Sequence, residues 1–339
     1  MKAQRLFSRS LFLTVSLIFA TAVATFWCCG DSSNKNFISM GTAPIGGAFN
    51  PVGNALSQTL NENKGDNEWK VQAKGTKGSQ ENIRRLNEGK DQLALSNSAI
   101  SYHAVRGTGS WKRKYDIRTV VTIAPNVAMF ITKKDSGIKT IADLKGKRVV
   151  CGPAGAGFEM FLEPLLKEHG VSFDDFKQKL NNNQNGAVDM LADGAADAAF
   201  LGGAVPTPAI QRACNEQEIY FIPFDEAAIG RLVKLSYFQA ITIPADKYKD
   251  LTEDYHGLNV GSMHLITSAD QDEELIYQIT KTLWENRQSI DHRAAKKFIN
   301  KKNAARYTGT DFHPGAARFY KEINIWSAES MAAEKTASE

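Results

Sequence analysis

The sequence predicts an α/β fold of two bodies, each a mostly parallel sheet flanked by helices. Three observations predict it. Three strand–loop–helix units follow one another within about 70 residues after residue 37, the signature of a parallel α/β sheet. Five strand ends carry glycine or small polar residues. At 339 residues the chain exceeds one ordinary core and suits two domains of ~150 residues each. Charged residues are 23% and hydrophobic ones 42%, the balance of a globular protein, so bulk disorder is excluded.

Residues 1–27 read as a signal peptide: Lys2, Arg5 and Arg9 precede an apolar stretch, 11–24, too short for a stable membrane anchor. Ala22-Val23-Ala24 offers a small-residue cleavage site. Alternatively Cys28 or Cys29, followed by a polar tether over 28–36, is a lipidation site, although Phe26 and Trp27 fit a lipoprotein box badly. Without the three basic residues of the signal, 38 Lys and Arg face 37 Asp and Glu, a net charge of +1. No nucleic-acid partner is expected at that balance. Beyond the signal and the tether only Cys151 and Cys214 remain, too few for a disulfide framework and read as two buried thiols. The six histidines show no paired metal-ligand spacing, and no cofactor is expected.

Residues 37–40 form a short apolar strand ending at Gly41-Thr42. The chain crosses Gly46-Gly47 into a helix with Pro51 at its first position, and Val52, Ala55, Leu56 and Leu60 at helical spacing. Trp69, Val71 and Ala73 alternate as a strand before Gly75-Thr76-Lys77-Gly78, and Ser79 is the expected N-cap of the next helix. Residues 93–95 are a strand, and Asn97-Ser98 opens a helix bearing Ile100, His103 and Ala104. The apolar run 119–131 is long enough to leave one body for the other.

In the second body, strand 148–151 leads through a glycine loop, 152–157, into helix 158–169, ended by Gly170. Helix 187–195, strand 198–201, loop Gly202-Gly203, a helix from Pro206 and strand 219–222 follow. Residues 237–243 read as the return crossing and 258–267 as one more strand. Leu275, Ile276, Ile279, Leu283 and Trp284 share a helical stripe that should pack on the first sheet. The expected organisation is 37–126 and 240–326 in lobe I, 127–239 in lobe II, and a disordered tail at 327–339.

A single strand–glycine–helix turn is commonplace. Repeated at facing strand ends of two hinged bodies, it describes a cleft in which helix N-termini converge on one anion. An enzyme would need a nucleophile or an acid–base pair there. The loops offer Thr42, Thr76, Ser79, Ser98 and Lys77 but no cysteine, and His103, one turn into its helix, is the nearest histidine.

At these loops the sequence resembles the TAXI family, the solute-binding subunits of one branch of the tripartite ATP-independent periplasmic (TRAP) transporters. GTAPIGGAFNPVG (41–53) is similar to the family's GTGG-x-x-G-x-YYP-x-G opening, and GTKGSQENI (75–83) to its STGGS-x-EN-[IL] segment. NSAISYHA (97–104) stands where the family has QSD-x-AYYA, and GPAGAGFE (152–159) matches a G-x-x-GSGTE loop. GGAVPTPAI (202–210) and HPGAARFYKE (313–322) also look like family signatures.

The resemblance implies a two-lobed periplasmic-binding-protein-like fold (type II) with two extended crossings and no enzymatic activity. It implies a monomer in the periplasm that closes over a small carboxylate and delivers it to an ion-gradient-driven TRAP permease. Ligand contacts are then expected from Thr42, Ala43, Gly46, Gly47 and Phe49, and from Thr76, Lys77, Ser79, Asn97 and Ser98. The second body would add Gly155, Ala156, Gly157 and Phe158, together with Gly202, Gly203, Ala204 and Pro206. Lys77 replaces a family glycine, Ala99 a usual Asp, and Ala156 and Phe158 a Ser and a Thr, which favours an acid lacking an amino group. A ligand-sensing ectodomain of a signalling receptor would share the pocket, and a secreted serine hydrolase using Ser79 is the remaining class.

Overall fold

The computed structural model describes residues 37–44, 47–326, 328, 330 and 331. The signal peptide, the tether with Cys28 and Cys29, Gly46 and the last eight residues lie outside them. The fold described below occupies the compact unit Ile38–Glu339, apart from the first residue of its first strand.

Two sheets carry the architecture, flanked by helices. The first has the order β2-β1-β3-β12-β4, built from β1 (Phe37–Gly41), β2 (Lys70–Lys74), β3 (Leu93–Asn97), β4 (Ile117–Thr122) and β12 (Met263–Ser268). Helices α1 (Phe49–Glu62), α2 (Ser79–Asn87) and α3 (Ser98–Arg106) follow β1, β2 and β3 in turn. The second sheet has the order β10-β11-β5-β8-β6-β7, with β9 also on β5. Its strands are β5 (Val127–Lys133), β6 (Arg148–Val150), β7 (Gln178–Leu180), β8 (Ala198–Gly203), β9 (Ile219–Ile222), β10 (Phe238–Ile243) and β11 (Tyr255–Val260). Helices α4 (Glu159–Glu168), α5 (Gln184–Ala192), α6 (Pro208–Glu216) and α7 (Glu226–Leu232) accompany it. The apolar stripe of α8 (Glu273–Glu285) buries Ile276, Ile279 and Leu283 in the core of the first sheet, as its spacing predicts, and α10 (Pro314–Glu322) packs beside it. The short α9 (Arg293–Phe298) lies between them in sequence.

Both sheets are mixed rather than mostly parallel. Pairing is parallel where a strand belongs to a βα unit, as in β1–β3, β6–β8 and β6–β7. It is antiparallel wherever a strand has just crossed between the sheets: β12 on β3 and β4, β5 on β8 and β9. A crossing strand enters the new sheet from the end at which the local strands finish, so it must run against them.

The chain first passes from one sheet to the other between β4 and β5. The return crossing does not lie where the sequence places it. Residues 238–260 pair as an antiparallel hairpin, β10 with β11, at the edge of the second sheet, and the chain returns only at Gly261-Ser262. The expected single strand 258–267 therefore breaks at Gly261, whose φ of +108° suits glycine; a Cβ there would also stand 2.3 Å from Asn97 Oδ1. The crossings run side by side. Ile123 N donates to Met263 O, Met263 N to Ala124 O, Val260 N to Asn126 O, and Asn126 N to Asn259 Oδ1.

Smaller boundaries also shift. Helix α1 begins at Phe49, so Pro51 is its third residue, still within the turn whose amides lack helical partners. Helix α5 begins three residues before the expected 187 and α6 two after Pro206. The expected disordered tail lies mostly outside the described residues; Ser330, which is described, is buried, its hydroxyl donating to Ala305 O at 2.6 Å.

Candidate functional site

The strand ends of both sheets border one cavity of about 110 Å³. A water needs roughly 10–15 Å³ on this measure, so the room suits a molecule of on the order of ten non-hydrogen atoms. From the first sheet the wall is Ala43, Pro44, Gly47, Ala48 and Phe49, then Lys77, Gly78 and Ser79, then Asn97. Pro125, Asn126 and Met263 contribute from the crossings. From the second sheet come Pro153, Ala156 and Phe158, then Asn183 and Gln184, then Gly202, Gly203 and Ala204. Apart from the crossings, each group sits at the start of a helix or just before one: α1, α2, α3, α4, α5 and α6. Among the described lining residues Lys77 carries the only formal charge.

Several expected contacts stand behind the wall instead. Thr42 is fully buried, with its hydroxyl donating to Lys74 O at 2.7 Å. Its carbonyl accepts from Thr76 Oγ1 at 3.0 Å and Asn82 Nδ2 at 2.8 Å. Thr42 and Thr76 thus brace the two loops against each other. Ser98 is buried, its N–H donating to Ser262 O. Gly155 and Pro206 do not line the cavity. Gly157 packs against the first-sheet helices, where a Cβ would stand 3.0 Å from Gln80 Cγ and 3.1 Å from Ile100 Cδ1. Ala99 is fully buried and also stands outside the wall.

Ser79 is not the helix cap. Gly78 holds that position, and Ser79 Oγ accepts from Asn97 N at 3.0 Å, tying α2 to the end of β3. Asn97 caps α3: its Oδ1 accepts from Ala99 N at 2.8 Å and Ile100 N at 3.4 Å. Its Nδ2 donates to Gly261 O at 2.9 Å, so one cavity-lining side chain also holds the return crossing.

The helix starts gather as expected, but many of their amides are already satisfied by the protein. Lys77 N donates to Glu81 Oε2, Gly78 N to Thr76 Oγ1, Gly186 N to Asn183 Oδ1 and Thr207 N to the Tyr248 hydroxyl. These starts therefore offer fewer bare amides than their number suggests.

No histidine lines the described cavity. His103 packs on Tyr102 and Tyr237, with Nδ1 2.8 Å from Thr108 Oγ1. Burial, and then Arg106, push its pKa below the usual histidine value. His264 is buried behind the first sheet, Nε2 2.8 Å from Ser101 Oγ and Nδ1 3.4 Å from Thr119 Oγ1, and burial drives its pKa down to about 3. The Ser79 hydroxyl has no imidazole to activate it. Cys151 and Cys214 are free and buried, and desolvation raises their pKa values to about 12 and about 11.

Sequence reasoning missed Pro44, Ala48, Gly78, Pro125, Asn126, Pro153, Asn183, Gln184 and Met263. A signal for two of them was present. The run Asn181-Asn182-Asn183 just before the helical spacing of Ala187, Val188 and Leu191 is an N-cap signature, and Asn183 does cap α5.

The profile of the NMT1-like family matches residues 40–323. Among solved structures, the alkanesulfonate-binding protein SsuA of Xanthomonas axonopodis pv. citri, bound to MOPS, superposes with a TM-score of 0.50 at 16% identity, covering 90% of this chain and 92% of that one. PhnD1 of Prochlorococcus marinus (MIT 9301), in complex with methylphosphonate, gives 0.51 at 12%, covering 86% and 100%. A Bordetella bronchiseptica RB50 protein gives 0.51 at 14%, covering 87% and 83%. At these identities the likeness is one of fold.

Proposed function

Because the chain belongs to the NMT1-like family and has the fold of two-lobed periplasmic solute-binding proteins, we propose that it captures a small carboxylate in this cavity. It then delivers the ligand to a membrane permease of the ion-gradient-driven TRAP type. The residues proposed to contact ligand are those of the wall: Ala43, Gly47 and Phe49, Lys77 and Ser79, Asn97, Ala156 and Phe158, and Gly202, Gly203 and Ala204. Thr42, Thr76 and Ser98 are assigned to holding them. The TRAP assignment rests on the TAXI-like motifs at the same loops, and the periplasmic address on the signal-like N-terminus.

The observation that carries the reading is the cavity itself, walled from both sheets by helix starts, with one ammonium group and no carboxylate on its described wall. Helix N-termini and a cation favour negative charge, each dipole by ~0.3–1 kcal/mol. Phe49 and Phe158 supply apolar surface for the carbon chain. Closure of two bodies about paired crossings is an established way to present a loaded shape to a partner.

A thermal-shift screen of carboxylates, sulfonates, phosphonates, amino acids and sugars tests it. A ligand bound only by the folded state at ~100 times its Kd stabilises by ~2.7 kcal/mol, a rise of several degrees for a chain of this size. Carboxylates should give the largest rise. A response confined to neutral sugars or to cations would reject the proposal.

A further inference from the structure

The cavity wall divides its chemistry unevenly. Lys77 brings the one formal charge among the described lining residues. The lining amide side chains are neutral, and three of them are engaged with the protein itself. Asn97 accepts from two backbone amides of α3 and donates to Gly261 O. Asn183 Oδ1 accepts from Gly186 N at 2.9 Å, and Gln184 Nε2 donates to Gly202 O at 2.7 Å. Most of the remaining wall is apolar: Phe49, Phe158, Met263 and three prolines, besides alanine and glycine. Each sheet supplies one of the rings. Phe49, the first residue of α1, packs on the core of the first sheet. Phe158, just before α4, is held by Phe161 and Phe200, with ring centroids 5.1 and 5.9 Å away. Both are only partly buried, so part of each ring stays open.

This wall sets the number of acid groups. One carboxylate can pair with Lys77. A second would lose its water against neutral and apolar groups with no cation to offset the loss, and burying an unpaired charge is costly. A methyl group in the same place gains from leaving water. We propose that the ligand is a monocarboxylic acid with an apolar body, its carboxylate at Lys77 and its carbon skeleton against Phe49, Phe158 and Met263. This rests on the carboxylate reading above and narrows it to acids with one acid group.

Calorimetric titration with butanoate against succinate, and pentanoate against glutarate, tests the idea. The members of each pair have the same number of carbons, and only one carries the second acid group. In both pairs the monoacid should bind at least roughly tenfold tighter. Pentanoate should exceed butanoate by about fourfold, the worth of one more buried methylene. In Phe158→Ser that methylene step should shrink towards one. A diacid that matches its monoacid in either pair, equal binding of butanoate and pentanoate, or a methylene step that survives the substitution would overturn the inference and leave the carboxylate reading standing. Failure of all four acids to bind would overturn both. The comparisons within the unmodified protein decide even if the variant does not fold.

Discussion

The two walls of the cavity are built on different plans. On the first-sheet side most polar groups bond within the protein, although Asn82 Oδ1 and Ser98 Oγ are buried without a partner. Thr76 and Asn82 meet at the Thr42 carbonyl, while Ser79 and Asn97 form a second set that reaches Gly261; together they fix three loops to one another and to the return crossing. Behind it Asp91, buried against the Arg85 guanidinium and the Ser39 hydroxyl, is held below its usual pKa; burial opposes the charge but the hydrogen bonds outweigh it. On the second-sheet side the wall is Pro153, Ala156, Phe158, Asn183, Gln184 and three residues of a Gly-Gly-Ala loop. One wall is a preorganised frame. The other supplies mostly apolar surface. Stability should therefore be most sensitive on the first side, and ligand choice on the second and at Lys77.

The largest expected effect breaks the frame. Asn82 is fully buried, and its Nδ2 bridges Thr42 O and Leu95 O. Asn82→Ala leaves the Leu95 carbonyl short of that donor and should cost about 3 kcal/mol in urea unfolding. A loss under 1 kcal/mol would mean the frame is not what holds the loops.

Acid should strain the same side almost as much. His264 is neutral in the folded protein, with its pKa near 3 against ~6.5 unfolded. The unfolded chain takes up the proton first, so stability present above pH 6.5 falls as pH drops towards 3. The loss is about 3 kcal/mol between pH 7 and pH 4. His264→Gln should flatten that slope, and an unchanged slope would count against it.

Phe158→Ala trims the apolar wall. Phe158 is only partly buried and stacks near Phe161 and Phe200, so a cost of about 2 kcal/mol is expected, below the fully buried range. The smallest effect lies within the second-sheet body: Cys151 and Cys214 should resist a thiol reagent at pH 8 until denaturant is added. Rapid labelling of the native protein would show that this body opens more readily than its packing implies.

The sequence exposed the loops more readily than the faces they present. Neighbours such as Thr42 and Ala43, Thr76 and Lys77, or Asn97 and Ser98 differ in whether they line the wall. A one-residue step reverses direction on an extended segment, and the partners that settle it are 18 to 40 residues away. The hairpin 238–260 was misplaced for a related reason. Alternating apolar residues mark a strand, but nothing local says which sheet will pair with it. Gln184 was missed because α5 follows a three-residue strand, β7, too short to announce a strand end. Lys77 and Phe158, by contrast, were legible as substitutions within a recognisable loop.

The claim on which the rest depends is that a carboxylate sits in this cavity against Lys77. Calorimetry with the best carboxylate from the screen, on the unmodified protein and on Lys77→Gln, tests it most directly. Lys77 is exposed, so the melting temperature should not move. One binding site per chain and a loss of roughly tenfold in affinity, for one charge-assisted hydrogen bond, is the predicted result. Unaltered affinity in Lys77→Gln would place the acid elsewhere and contradict it.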